Sequence, residues 1–194
     1  MVDYKTFKKE YLNEWVDRSQ AARKAAEELA NKGVVISLRE RTTRIFDLAG
    51  HKVEFKAENE TSTGNIFSGL ITGREAIERF GKPDENGWRL PTREEIISLR
   101  DNVPYLFDKD IKSGVFGSDL ILPADGFCQS GLQGGTRYRN GIVGSYWTST
   151  YDGDNKDDYA WFMEVKATGV GVTVCSLDLS MSVRLLRDVK QNIK

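Results

Sequence analysis

Residues 87–95 read GWRLPTREE, and this stretch carries the clearest local signals in the 194-residue chain. A glycine, a large aromatic residue and a proline stand just before Thr92, whose hydroxyl is suited to capping a helix that follows it. Glu94 and Glu95 then fall in the first helical turn, where carboxylates interact favourably with the helix dipole. The pattern predicts a sharp corner from a strand into a short helix. Three apolar side chains of that helix face the core: Ile96, Ile97 and Leu99.

Outward from this corner, most of the chain shows strand and turn patterns. Residues 42–48 and 52–57 flank Ala-Gly-His at 49–51 and predict a β-hairpin. A second short helix is predicted from Thr72 through Phe80. The later half is rich in glycine, aromatic and β-branched residues, and six strands are predicted there: 119–122, 126–129, 144–149, 159–166, 171–176 and 182–187.

The N-terminal segment has a different pattern. Residues 3–31 carry apolar side chains at three- and four-residue steps, with charges on the other faces and no Gly or Pro before Gly33. This predicts one long amphipathic helix that either packs on the domain that follows or serves docking and oligomerisation. We therefore divide the chain into an N-terminal helix, 1–33, and a main domain, 34–190.

Composition narrows the functional classes. Lys and Arg total 28 against 29 Asp and Glu, so the balance gives no electrostatic attraction to nucleic acid. No apolar run approaches the ~20 residues of a membrane span, and no signal-peptide core follows the N-terminus. The expectation is no nucleic-acid partner, no membrane, and a virion or intracellular setting rather than secretion.

Three motifs, taken in order, resemble one family. They are GWRLPTREE at 87–95, GSYWTST at 144–150 and SVRLLRD at 182–188. Together they resemble the C-type lectin-like domains of Bacteroidetes and their phages known as the Fibrobacter succinogenes major paralogous domain, which are related to the formylglycine-generating-enzyme fold. The resemblance covers about residues 34–190.

The resemblance implies an α+β, C-type lectin-like fold with two short helices and an irregular antiparallel sheet, here preceded by the long N-terminal helix. It makes Trp88 and Trp147 core anchors, with Arg184 and Arg187 bracing the final strand. Burial of Trp147 also follows from the apolar-polar alternation around it.

Lectin-like folds bind ligands through irregular loops above the sheet, so residues after 130 are the candidate binding surface. These loops are rich in Tyr, Arg, Asn, Asp and Gly, which combine rigid aromatic area with adaptable hydrogen bonding. Some family members are targets of diversity-generating retroelements, which favour such residues. We expect the loop side chains to be exposed on one side of the domain. The candidate ligand-binding residues are Arg137, Tyr138, Arg139, Asn140, Tyr151, Asp154, Asn155 and Tyr159.

Metal and catalytic chemistry find less support. Four aspartates at 152, 154, 157 and 158 suggest Ca²⁺, but Lys156 interrupts them and no EF-hand Gly and Glu follow, so no cofactor is predicted. Cys128 and Cys175 either pair as a disulfide or remain buried thiols. The chain lacks the other motifs of a formylglycine-generating oxidase, so no enzymatic activity is predicted, with that oxidase as the enzymatic alternative.

The sequence therefore predicts a non-enzymatic ligand-binding or display module that recognises a protein or glycan, as a phage receptor-binding or retroelement-diversified protein would. The alternative is a structural virion decoration or fibre subunit. In either case the N-terminal helix offers a contact for a homo-oligomer or a virion partner.

Overall fold

Most of the described chain is β-strand. The computed structural model describes residues 44–62, 69–117, 119–129, 137–153 and 158–189, which belong to one compact unit. Of these residues 49% are in strands or bridges and 14% in helices. The predicted α+β, C-type lectin-like fold class is therefore wrong for the described residues, which form four small antiparallel sheets with two short helices. The helix predicted at 3–31 lies outside the described residues.

The described residues form two helices and twelve strands. The helices are α1 (Gly73–Phe80) and α2 (Arg93–Asn102). The strands are β1 (Ile45–Leu48), β2 (His51–Phe55), β3 (Ile71–Thr72), β4 (Tyr105–Asp108), β5 (Ser113–Phe116), β6 (Leu120–Pro123), β7 (Cys128–Gln129), β8 (Val143–Tyr151), β9 (Tyr159–Lys166), β10 (Gly169–Ser176), β11 (Leu179–Met181) and β12 (Leu186–Asp188). The four sheets have the orders β1–β2–β12, β10–β9–β8, β3–β11–β7 and β4–β5–β6.

The predicted N-terminal hairpin is confirmed. β1 and β2 pair antiparallel, and the turn between them is Ala49-Gly50, with Leu48 opposite His51. Both turn residues have positive φ, 50° and 87°, as a two-residue hairpin turn whose twist matches its strands requires. β12 pairs with the other edge of β2, so the end of the described chain closes this sheet.

The sheet β8–β9–β10 contributes to an apolar cluster on each face; β8 is its most buried strand, and β10 is mostly half-buried. Its neighbouring cross-strand pairs project to opposite sides: Tyr146 with Met163, and Trp147 with Phe162. The first pair belongs to one apolar cluster and the second pair to another. Trp147 is fully buried, and its indole N–H donates to the Ile71 carbonyl at 3.0 Å. Its predicted role as a core anchor is confirmed.

The two clusters draw on different parts of the chain. The first lies beneath α2 and comprises Leu48, Val53, Phe55, Ile96, Leu99, Phe116, Leu120, Leu122, Tyr146, Met163, Val165 and Leu186. The second lies beneath α1 and comprises Ile71, Ala76, Leu90, Trp147, Ala160, Phe162, Leu177, Met181, Val183 and Leu185.

The other residues with predicted structural roles differ in their burial. Trp88 is only half-buried; it packs on the edge of the second cluster, with Arg187 Cζ 4.4 Å from the centroid of its ring. Arg184 is buried and donates to the carbonyls of Lys56 and Ala57, at 3.0 and 2.7 Å. Arg184 therefore holds the closing segment against the residues that follow β2. Residues 182–187 do not form the single strand that was predicted: Ser182 and Val183 make isolated bridges, and β12 begins at Leu186.

Both predicted helices are present, and each begins after a threonine cap. The Thr72 hydroxyl accepts from Glu75 N, and the Thr92 hydroxyl accepts from Glu95 N. At α2 the Glu95 carboxylate also accepts from Thr92 N, which completes a capping box. Neither helix, at eight and ten residues, has the length and apolarity to cross a membrane; this holds for the described part of the chain.

Replacing Thr92 by alanine is expected to lower the free energy of unfolding by about 1 kcal/mol, because one amide at the α2 N-terminus loses its acceptor. Urea denaturation followed by circular dichroism measures the change. Thr92→Ser keeps the hydroxyl and serves as the control, with a smaller loss expected. Equal stabilities of Thr92→Ala and the unaltered chain would show that the cap contributes nothing.

Candidate ligand-binding cleft

A cleft of about 560 Å³ lies between α1 and the end of β8. One wall is the exposed side of α1. The other wall is the C-terminal end of β8, at Ser149 and Tyr151. The floor is apolar and belongs to the second cluster. The lining residues are Arg74, Ile77, Glu78, Gly81, Lys82, Ser149, Tyr151 and Leu177.

The α1 wall follows from helical spacing. Arg74, Glu78 and Lys82 are four residues apart, so they lie along one side of the helix and its C-terminal end, and all three are exposed. The buried face of the helix begins at Gly73. A Cβ there would lie 2.7 Å from Leu177 Cδ2 and 3.0 Å from the Trp147 ring. Glycine at this position therefore allows α1 to approach the cleft floor closely.

The β8 wall is shaped by an irregularity in the strand. The β8–β9 register shifts between Trp147 and Tyr151, as in a β-bulge, and the Thr148 hydroxyl donates to the Trp161 carbonyl at 2.7 Å. Ser149 N donates to the Pro91 carbonyl at 2.9 Å, which ties the shifted segment to the corner before α2. Bulges re-aim side chains at the ends of strands. Here the shift leaves Ser149 and Tyr151 lining the cleft.

Carboxylates lie at the Arg74 end of the cleft. The Arg74 guanidinium is 3.1 Å from Asp178 and 3.5 Å from Asp158. The hydrogen bond to Asp178 is the main factor that raises the pKa of Arg74. The cleft therefore offers an aromatic ring, an apolar floor and charges of both signs within one cavity.

The structure separates the sequence-predicted binding residues. Tyr151 lines the cleft and lies opposite Ala160 in β9. Tyr159 is 44% exposed, and because it precedes Ala160 its side chain projects from the other face of the ribbon. Asp154 and Asn155 lie outside the described residues.

Residues 137–140 lie near the other end of β8. The Arg139 carbonyl accepts from Val143 N, and Val143 and Tyr151 are the two ends of a nine-residue strand, roughly 26 Å apart at 3.3 Å per residue. The Tyr138 ring stacks on Phe127 at 5.6 Å and is partly exposed. Arg137 pairs with Asp125 at 3.3 Å, and Arg139 and Asn140 are exposed. The described candidates therefore do not form the single surface that was expected.

A second group of polar side chains joins β2, α2 and β12. Donor atoms of His51, Glu95 and Asp188 lie within 4.8 Å of one another, a spacing compatible with a metal ion. However, Arg89 already occupies this group, with Nη2 at 2.8 Å from Glu95 Oε1 and 3.2 Å from Asp188. Glu95 Oε2 accepts from Arg89 Nη1 and from Thr92 N as well. The carboxylate is therefore saturated by a structural ion-pair network, not arranged for a metal.

The charge on Glu95 is maintained by this network. Burial raises the pKa of the carboxyl, but hydrogen bonds from Arg89 and Thr92, the Arg89 charge and the contact with His51 together outweigh burial and lower it. A carboxylate held this firmly is a poor proton donor or acceptor near neutral pH.

The two cysteines bear on the oxidase alternative, and the aspartate-rich loop bears on the calcium alternative. Cys128 is buried and Cys175 is half-buried, and the two do not pair as a disulfide. Burial is the main factor that raises the pKa of Cys175 to about 12, which keeps it protonated at neutral pH. In the aspartate-rich loop, Asp158 is paired with Arg74, while residues 154–157 lie outside the described residues.

Sequence reasoning missed Arg74, Glu78 and Lys82. Their four-residue spacing was visible in the sequence, but charged residues at this spacing are ordinary on any solvated helix face. Only the position of α1 opposite the end of β8 makes them part of a cleft. Comparison of the chain with protein-family models, curated proteins and solved structures gave no match.

Proposed function

We propose that this domain is a non-enzymatic binding module that takes a protein segment or a glycan in the cleft between α1 and β8. The observation that carries the proposal is the lining of that cleft. Tyr151 supplies an aromatic surface, Ile77 and Leu177 an apolar floor, and the α1 wall a row of exposed charges. Concave sites with apolar area and a few convergent polar groups are the usual form of ligand pockets.

The chemistry of the cleft suits recognition more than reaction. The Tyr151 ring can stack on a sugar or on a peptide side chain. The Ser149 hydroxyl and the charged groups of the cleft can then form hydrogen bonds with the polar atoms of that ligand. The Glu78 carboxylate can accept hydrogen bonds from a ligand, and the Lys82 ammonium group can donate them. The lining residues do not include a histidine or cysteine that would act as a nucleophile or general base.

The other sequence-derived possibilities stand as follows. The raised pKa of Cys175 disfavours an oxidase that depends on a reactive thiolate at neutral pH. The family resemblance, the retroelement-diversified loops and the phage or virion setting remain predictions based on the three motifs. A display role on a virion is compatible with the same cleft.

A screen followed by variants of the cleft tests the proposal. The full chain is applied to a glycan array and to a displayed peptide library, and affinities for the best binders are then measured by calorimetry. Glu78→Ala combined with Lys82→Ala is expected to weaken binding about tenfold or more, because two exposed polar contacts are lost without removing any core packing.

A matched variant controls for charge and residue type. Glu85→Ala combined with Lys52→Ala removes the same two residue types at exposed positions outside the cleft lining, and should leave affinity unchanged. Binders that respond equally to both double variants, or a screen without binders, would contradict a ligand-binding role for this cleft.

A further inference from the structure

We infer that the domain carries a second interaction surface, near the start of β8, that binds an acidic segment of a protein partner. This surface is called here the basic-apolar end. It is formed by the turn between β4 and β5 and the turn before β8, and it lies at the opposite end of β8 from the cleft. Its residues are Lys109, Ile111, Lys112, Arg139 and Ile142.

Both turns form backbone hydrogen bonds with Ala124, the residue that follows β6. Ala124 N donates to the Lys112 carbonyl at 2.9 Å, and Gly141 N donates to the Ala124 carbonyl at 2.6 Å. The Lys112 side chain lies over Gly141, since its Cδ would be 3.0 Å from a Cβ at that position. Backbone and side chain therefore hold both turns together as one surface.

Two large apolar side chains of this surface are unusually exposed. Ile142 is 63% exposed and Ile111 is 50% exposed, which makes them the most exposed large apolar residues in the described ranges. Single exposed apolar residues are normal, but adjacent ones mark interaction sites. Ile111 precedes Lys112 and Ile142 follows Gly141, so each of the two joined turns presents one exposed isoleucine.

The surface carries three cations against two aspartates of the β4–β5 turn, which leaves a small excess of positive charge. Lys109, Lys112 and Arg139 form no ion pair within the ranges that the structure describes. The acidic groups of the same turn are Asp110, which is exposed, and Asp108, whose carboxylate accepts from the amides of Asp110 and Ile111. Lys166 and Glu164, on the neighbouring strand, pair with each other at 3.0 Å.

Two of the cations occupy positions that suit glycine. Lys112 has φ 50° and Arg139 has φ 56°, and Ala49 is the third non-glycine residue with positive φ in the described ranges. A side chain in this conformation costs free energy that glycine avoids. Strained positions of this kind concentrate at functional sites. The presence of a long cationic side chain at both turns therefore favours a role for the charges.

The cations and the exposed isoleucines together indicate which kind of partner this surface would bind. Three cations on the same two turns as two exposed isoleucines complement a segment in which carboxylates flank an aliphatic side chain. An anionic membrane is a poorer match, because the three cations of this surface in the described ranges are fewer than the clusters of about four to eight that bind anionic lipid. With the cleft at the other end of β8, the domain would be able to join two different partners.

The test uses a defined peptide. The probe is a fluorescent peptide of alternating acidic residues around two leucines, and its Gln/Asn counterpart is the reference. Titration of the ¹⁵N-labelled full chain should shift amides at 109–112 and 139–142 with the acidic peptide only. Lys112→Gly combined with Arg139→Gly is expected to weaken binding about tenfold while leaving the thermal midpoint unchanged or higher.

Controls separate charge, conformation and the other site. Ala49→Gly makes the same conformational change outside the surface and should not alter affinity. Glu78→Ala with Lys82→Ala disables the proposed cleft and should not alter peptide binding, so the two proposals fail independently. Absence of binding by the unaltered chain, equal binding of the Gln/Asn peptide, or binding only to phosphatidylserine vesicles would overturn the inference.

Discussion

Replacing Trp147 by alanine is expected to lower the free energy of unfolding by about 3–5 kcal/mol, the range for removal of a large buried aromatic side chain. The indole is fully buried within the second cluster. It packs edge-to-face against Phe162 and donates a hydrogen bond to the Ile71 carbonyl. The variant loses this packing, creates a cavity beneath α1 and leaves a buried carbonyl without its donor.

Chemical denaturation of both proteins measures this loss. Trp161→Ala is the matched control, because Trp161 is only half-buried and stacks on the Arg93 guanidinium at 4.2 Å. Its removal should cost clearly less. A stability of Trp147→Ala close to that of the unaltered chain, or below it by no more than Trp161→Ala, would show that Trp147 is not the anchor of this core.

Replacing Glu95 by alanine is expected to cost a similar amount, about 3–5 kcal/mol, because it removes the buried partner of Arg89 and leaves that guanidinium with only the exposed Asp188. Glu95 is buried and receives two hydrogen bonds from Arg89 and one from Thr92. It therefore links the corner before α2, the α2 cap and, through His51 at 2.8 Å, strand β2. Glu94→Ala is the control: the neighbouring carboxylate is mostly exposed, and its loss should change stability little.

The same network predicts a pH dependence. The pKa of Glu95 is lower in the folded chain than in the unfolded chain, so its stabilising contribution is complete above the unfolded value of about 4.3. The contribution is lost as the pH falls through the folded pKa. The stability difference between the unaltered chain and Glu95→Gln should therefore shrink between pH 6 and pH 3. A difference that stays constant over this range would contradict the assignment.

Local features were predictable because they depend on near neighbours in the sequence. Thr92 with Glu95 three residues later defines the α2 cap without any tertiary information. The Ala49-Gly50 turn between two alternating segments defines the hairpin. The alternation around Trp147 indicated its burial.

The fold class and the site depend on contacts between distant residues. The helices are eight and ten residues long, and several strands, including β4, β5 and β11, have no signal strong enough to be predicted. The α+β prediction followed the motif resemblance and underestimated the strand content. The cleft requires α1 to lie against a strand that ends 70 residues later, and the register shift before Tyr151 is not encoded in any short pattern.

The most direct test of the proposed binding cleft is to map a bound ligand by NMR. The ¹⁵N-labelled full chain is titrated with the tightest glycan or peptide binder from the screen. We predict that the largest amide shifts fall on α1 and on the end of β8, at Arg74, Glu78, Lys82 and Tyr151, and that Glu78→Ala with Lys82→Ala moves the titration to about tenfold higher ligand concentration or beyond. Saturable binding with its largest shifts elsewhere in the domain would contradict the assignment of this cleft.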